Sequence, residues 1–134
     1  MSLWLVKSDP EAYSFDDMEK DGKTSWDGVR NYQARNNIQL MKKGDRVLFY
    51  HSQIGKDIVG VTEVSKEAYN DPTTEDIRWF SVELKFKKRF KKTITLESMK
   101  SNEKLQNIGL IKQSRLSVMP IAEFEYDEIL RLTK

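Results

Sequence analysis

Arg46-Val47-Leu48-Phe49-Tyr50-His51 and Ile58-Val59-Gly60-Val61-Thr62-Glu63-Val64 are the two stretches whose reading decides the fold. Each is rich in β-branched and aromatic residues and is bounded by polar turn formers, as strands are. The link between them, Ser52-Gln53-Ile54-Gly55-Lys56-Asp57, is short and contains glycine, so the pair predicts an antiparallel hairpin. Trp79 to Arg89 is the next strand outward, and it alternates. Phe80, Val82, Leu84 and Phe86 fall on one face, with Trp79, Ser81, Glu83, Lys85 and Lys87 on the other.

The flanks add helices. Trp4-Leu5-Val6 reads as a short buried strand ending at Lys7-Ser8, after which Asp9-Pro10 breaks regular structure. Ser14 with Asp17 forms a capping-box pattern that opens a short helix stopping near Gly22. Tyr32 to Met41 has helical character and ends at Lys42-Lys43-Gly44-Asp45. Leu96 to Met99 predicts a short helix behind a Thr95 cap. Arg115-Leu116-Ser117-Val118 predicts a strand that Pro120 stops. Ala122, Tyr126, Ile129 and Leu130 lie near helical spacing in a final helix from about Ile121 to Leu132. Strands with short helices inserted indicate an α+β fold, a small curved mixed sheet or partly closed pseudo-barrel with peripheral helices.

Length and composition fit that reading. The 134 residues suit one domain, spanning 1–134, with a real core. With 38% hydrophobic and 33% charged residues the chain has the balance of a folded, water-exposed domain rather than a disordered one. No apolar run approaches the roughly 20 residues of a membrane span. Met1-Ser2-Leu3-Trp4-Leu5-Val6-Lys7 lacks a basic leader and a long apolar region, and cysteine is absent. Disulfides and thiolate metal sites are therefore impossible, and the cytoplasm is the expected compartment. The net charge of +2 is too small to argue for wholesale phosphate binding. Its distribution is uneven: Lys85, Lys87, Lys88, Arg89, Lys91 and Lys92 crowd together with Phe86 and Phe90 between them. That strip suits either a nucleic-acid backbone or an edge strand that uses lysines to resist aggregation.

The stretch from Trp26 to Asn36 has almost nothing to bury. It holds an indole, a phenol, a carboxylate, two guanidinium groups and several amides. Such components suit a flat polar ligand such as a nucleobase: aromatic faces stack on it, amides read its edges and arginines hold phosphates. An Asp-Gly turn leading into a polar helix start would account for the same residues. Trp26 is the first stacking candidate and Trp79 the second, while Trp4 sits in an apolar strand and belongs with the core. Tyr32 and Tyr50 suit either packing or the pocket. Ser8, Asp27, Asn31, Asn36 and Ser52 supply edge donors and acceptors. Asp27 could accept from an exocyclic amine or serve the turn before Gly28. Arg30, Arg35 and Arg115 are candidates for phosphates, or for surface ion pairs. His51, the only histidine, is either structural or a hydrogen-bonding wall.

Taken in order, the chain resembles an EVE domain of the PUA-like superfamily, the family that includes thymocyte nuclear protein homologues. The matching stretches are Trp4 through Pro10, Tyr13-Ser14, Trp26 through Asn36, Gly44 through Ser52, Val59-Gly60-Val61, Glu67 through Thr73 and Ser114 through Val118. They span nearly the whole length. The resemblance implies a non-catalytic pseudo-barrel that reads a modified base, with modified cytosine favoured, in DNA or RNA. It is similar more distantly to YTH domains, which hold a methylated base in an aromatic cage. Trp26 falls where a YTH cage tryptophan would, Lys7-Ser8 ends the first strand in both, and Arg115 precedes a strand as a YTH arginine does. Lys7, Ser8, Trp26, Asp27, Gly28, Val29, Asn31, Tyr32, Tyr50, His51, Ser52 and Trp79 then form the expected base pocket, with Arg30, Arg35 and Arg115 on the backbone. No cofactor and no metal are implied. Restriction systems or RNA-modification proteins are possible partners, and no membrane is.

Two other classes compete. Asp71, Glu83 and Lys85 resemble the carboxylate-and-lysine set of metal-dependent nucleases, although Glu83-Leu84-Lys85 matches any alternating charged strand. A protein-interaction module is the third option. Divalent-dependent cleavage would favour the nuclease, and binding to protein partners alone would favour the module.

Overall fold

A computed structural model describes residues 1–134. Six strands carry the frame: β1 (Leu3–Ser8), β2 (Lys23–Trp26), β3 (Arg46–His51), β4 (Asp57–Asn70), β5 (Phe80–Thr95) and β6 (Val118–Ile121). They form one mixed sheet in the order β2-β5-β4-β3-β1-β6. The sheet is open, with β2 and β6 at its edges, and with its peripheral helices it is the α+β curved mixed sheet that was expected. β3 and β4 make the expected antiparallel hairpin, with Arg46 opposite Glu63 and Leu48 opposite Val61. β1 lies parallel to β3 and places Lys7 opposite Tyr50 and Ser8 opposite His51.

The helices are α1 (Phe15–Asp21), α2 (Tyr32–Leu40), α3 (Leu96–Lys100), α4 (Gly109–Lys112) and α5 (Glu123–Leu132), with a 3-10 turn at Glu103–Leu105. The α1 capping box is present. The Asp17 amide donates to Ser14 Oγ at 3.1 Å, and the Ser14 amide donates to Asp17 Oδ2 at 3.0 Å. Gly22 ends the helix at φ +78°, a left-handed value that other residues adopt only with strain.

The core is one apolar cluster that includes Leu5, Phe15, Met18, Ile38, Val47, Leu48, Phe49, Ile58 and Leu84. Trp4 belongs to it, and its indole Nε1 donates to Asp45 Oδ2 at 3.0 Å. Asp45 also accepts from the Ser2 and Lys42 amides, so this buried carboxylate is satisfied by three N–H groups.

Several expectations are corrected. β2 was not foreseen, because Lys23-Thr24-Ser25-Trp26 is short, polar and at an edge. β4 and β5 run beyond Val64 and Arg89, held by their mutual ladder through several register shifts. Val118, expected as the end of a strand, is the start of β6, which leaves Arg115 in a loop. Pro120 lies inside that strand opposite Trp4, since an edge strand tolerates a missing amide donor. α5 starts at Glu123 rather than Ile121. Trp79 precedes β5 and is buried, because Tyr32 and Arg30 cover it.

Candidate functional site

A cavity of about 540 Å³ opens where β1 ends, beside β2 and the loops on either side of α1 and β2. Lys7, Ser8 and Asp9 supply one side, and Ala12 and Tyr13 the approach to α1. Thr24, Ser25 and Trp26 come from β2, Asp27 to Arg30 from the loop after it, and Ser117 from the chain before β6. Trp26 is the large flat group on this wall. Its ring meets Phe49 edge to face at 5.6 Å and Tyr13 at 6.4 Å, so two aromatic neighbours fix its orientation. β2 positions it through the ladder to β5, where Trp26 faces Val82.

The loop after β2 is pinned by a carboxylate. Asp71, buried in the turn after β4, accepts from the Gly28 amide at 2.8 Å and from Arg30 Nη1 at 2.9 Å. The Thr73 amide and hydroxyl complete its shell at 2.7 and 2.6 Å. Burial alone would push this acid up, but the bonds from Arg30, Thr73 and Gly28 outweigh it and hold Asp71 well below the usual carboxylate range. Arg30 is thereby half committed: it lines the cavity, caps Trp79 at 5.5 Å and leaves 41% of its side chain exposed.

Other groups on the wall are tuned. Burial, then the charge of Asp71, raises the Asp27 acid, with Ser25 and Arg30 acting against them. Burial pushes the Tyr13 phenol up to about 12, against a bond to Thr24 and with help from Asp21, which accepts the Tyr13 hydroxyl at 2.8 Å. Burial lowers the Lys7 ammonium, which donates to the Ser114 carbonyl. Ser8 Oγ donates to the Tyr13 carbonyl and so ties the end of β1 to the entry of α1. The wall thus combines an aromatic face with carboxylate and hydroxyl acceptors and donors, the set needed to stack a flat heterocycle and read its edge.

Of the residues expected in the pocket, Lys7, Ser8, Trp26, Asp27, Gly28 and Val29 line this cavity, as does Arg30. The others do not. Asn31 is spent as the cap of α2, its Oδ1 accepting from the Ala34 amide at 2.9 Å. Tyr32 stacks on Trp79 with centroids 5.1 Å apart, and the Arg35 guanidinium lies over the Tyr32 ring at 5.0 Å. Arg35 also bonds Asn36 and the Arg78 carbonyl. Tyr50 is in the core. His51 Nε2 accepts from the Phe15 amide at 3.0 Å, which occupies the histidine structurally. The Ser52 amide donates to the Ser8 carbonyl and continues the β1–β3 pairing. Arg115 is exposed and lines a second depression.

Sequence reasoning missed Asp9, Ala12, Tyr13, Thr24, Ser25 and Ser117. Thr24 and Ser25 were hidden with β2. Tyr13, set between Pro10 and the capping box, is an aromatic residue at a helix entry and was the one visible signal. The basic run on β5 divides. Arg89 pairs with Asp16 at 2.6 Å and Glu19 at 2.9 Å, and Lys85 and Lys87 with Glu63 at 3.2 and 3.9 Å. Lys88, Lys91 and Lys92 are exposed. The three nuclease candidates are dispersed among separate partners: Asp71 holds Arg30, Glu83 accepts from Ser65 Oγ at 2.9 Å, and Lys85 pairs with Glu63.

Comparison with known proteins places this geometry in a family. The EVE domain matches residues 2–132. Thymocyte nuclear protein 1 of Mus musculus is 35% identical, over 98% of this chain and 73% of its own length. A protein from Agrobacterium tumefaciens superposes with a TM-score of 0.97 at 39% identity, covering 99% of this chain and 93% of that one. The human THYN1 protein, solved in complex with 5-methylcytosine containing DNA, superposes with a TM-score of 0.93 at 33% identity. That match covers 100% of this chain and 98% of the human one.

Proposed function

The chain belongs to the EVE domain family, and from that premise we propose that it is a non-catalytic reader that takes a modified cytosine of DNA into the cavity beside Trp26. The observation that carries this is the cavity wall itself. A fixed indole stands next to Asp27, Ser25 and Thr24 in a space of about 540 Å³, inside the roughly 300–1,000 Å³ typical of small-molecule sites. The methylcytosine DNA held by the human THYN1 protein supports cytosine over other bases.

The energetics are consistent. Drawing a base out of a stack costs a few kcal/mol. Stacking on one aromatic face returns about 1–3 kcal/mol per base, so edge contacts must supply the remainder. Asp27 can accept from an exocyclic amine, while the Thr24 and Ser25 hydroxyls are already bonded to Tyr13 and to Tyr69, the latter at 2.6 Å, and shape the wall rather than donate to the base. No helix is long and apolar enough to cross a membrane. The name of the animal relatives places those proteins in the nucleus, whereas this sequence by itself pointed to the cytoplasm. The proposed activity needs only access to nucleic acid.

The test is a binding panel of short DNA and RNA strands that differ by a single cytosine or adenine modification, with unmodified competitor. DNA carrying 5-methylcytosine or a related modified cytosine should bind most tightly, with no dependence on divalent ions. Equal affinity across the panel would remove the reader function, and preference for a modified RNA base would keep the pocket but change the polymer. Cleavage that requires magnesium or manganese and is lost in Glu83→Ala would instead favour the nuclease.

A further inference from the structure

We propose that the depression next to the cavity is a backbone track, holding phosphates of the strand whose base enters beside Trp26; this rests on reading the cavity as a base site. The depression measures about 360 Å³ and is lined by Lys112, Gln113, Ser114, Arg115, Asn31 and Gln33, with Leu116. Three observations carry the assignment.

The first is charge. No carboxylate lines the depression, and neither Lys112 nor Arg115 takes part in an ion pair or a side-chain hydrogen bond, although both are exposed. Arg30, Arg46, Arg78, Arg89 and Arg131 each have an acidic partner, and Arg35 is bonded to Asn36 and the Arg78 carbonyl, so Arg115 is the arginine whose guanidinium has no protein partner. The base cavity, by contrast, sets Asp9 and Asp27 against Lys7 and Arg30 on its wall, with Arg30 already held by Asp71, so it lacks the unopposed positive charge of the depression. The two spaces divide a nucleotide chemically, with the neutral donor-rich base in one and the anionic backbone in the other.

The second is continuity. The linings adjoin along the chain at two places, Arg30 to Asn31 and Leu116 to Ser117. Lys7, on the cavity wall, donates through Nζ to the Ser114 carbonyl in the depression. The Lys7 amide also donates to the Ser117 carbonyl at 3.0 Å. One shared partition, built from β1 and the chain before β6, thus separates the spaces, as base and phosphate of one nucleotide require.

The third is the donor set. Amide side chains from Gln33 and Gln113 and the Ser114 hydroxyl stand with the two cations. Phosphate oxygens are commonly held by such a mixture of side-chain donors.

The experiment measures affinity against salt for a short DNA duplex bearing one 5-methylcytosine and for its unmodified twin. The proteins are wild type, the double variant Lys112→Gln/Arg115→Gln, Arg115→Lys, and a control double variant Lys88→Gln/Lys91→Gln on the exposed face of β5. Each phosphate contact contributes roughly 0.9 to the slope of log K against log salt. The trough variant should therefore flatten the slope by about one to two and weaken both duplexes equally, leaving their ratio unchanged. Arg115→Lys should keep the slope. An unchanged slope in the trough variant, with wild type still preferring the methylated duplex, overturns the track and leaves the reader intact. A loss confined to the methylated duplex also overturns it, because the trough would then belong to base recognition. A flattened slope without any methyl preference in wild type keeps the track and removes the reader. Wild type that binds neither duplex overturns both.

Discussion

Trp26 meets Phe49 and Tyr13 edge to face, so its ring serves the core and the cavity together, and its removal should register in both. Trp26→Ala deletes the stacking wall and should weaken binding to methylated DNA about tenfold or more, the equivalent of roughly 1–3 kcal/mol. It should also lower the melting temperature, since each edge-to-face pair is worth about 0.5–1.5 kcal/mol beyond simple burial. The residue read from sequence as a free stacking platform is a load on the fold as well. Trp26→Phe separates the roles: it should retain most stability and lose more than half of the binding gain, as read by melting and by titration in parallel. Unchanged affinity in Trp26→Ala would place the base elsewhere. Asp71 makes a complementary case. Asp71→Asn removes the charge that faces Arg30 and presents an amide to backbone donors, so denaturant titration should show a loss of about 1–3 kcal/mol. Because the folded acid is held below its ordinary value near 3.9, its contribution is full above that pH and is lost as the solution becomes more acid. The gap between wild type and variant should accordingly shrink below pH 4, and a gap that widened there would refute the assignment.

α1 packs on the sheet through Phe15 and Met18, and the sheet makes room for Phe15 at one glycine. Phe15 packs against Phe49 at 4.9 Å and Phe86 at 5.2 Å, above Gly60 in β4. A Cβ at Gly60 would stand 2.4 Å from the Phe15 ring and 2.5 Å from the Lys88 carbonyl. Neither can withdraw, since Phe15 is fully buried and Lys88 is in the β4–β5 ladder. Gly60→Ala should therefore cost about 1–3 kcal/mol or more through overpacking. It should also loosen the cavity, because the residues before α1, including Tyr13, form one wall; differential scanning and DNA titration of the same sample check both effects. The β3–β4 hairpin was legible in the sequence because its apolar runs are dense and its turn is short. β2 was not, since a four-residue polar edge strand owes its place to the β5 ladder rather than to its own pattern. The site followed the same division. Lys7, Ser8 and the Trp26–Arg30 stretch could be named because they are contiguous or terminate a clear strand. Asn31, Tyr32, His51 and Trp79 lie outside the cavity lining, because a cap, a stack and a single amide–imidazole bond depend on which elements meet in space.

The whole molecule sets its cavity at the junction of two structural arms, one made by β1 and β3 and the other by β2 and the Asp71 turn. Their relative position depends on α1, which the sheet holds at its first amide by a histidine. His51, at the end of β3, accepts from the Phe15 amide through Nε2, and only the neutral ring can do so. Burial lowers its pKa below the ordinary value near 6.5, with the positive charge of Arg89 acting in the same direction and Asp57 and Asp16 acting against it. The folded state therefore binds fewer protons than the unfolded state across this range. The stabilising bond is fully present above about pH 6.5 and is lost as the pH falls through the lower folded value. Melting temperature should accordingly fall between pH 7 and pH 5. DNA affinity, measured at a temperature where the protein remains folded, should decline with it as the α1 entry and Tyr13 loosen. His51→Gln offers an oxygen that accepts the same amide and does not titrate. It should be less stable than wild type at pH 7, through its poorer fit, yet flatter over the same interval. A wild-type curve that is level from pH 7 to pH 5, or one whose slope survives in His51→Gln, would show that the charge on this ring does not govern the attachment of α1.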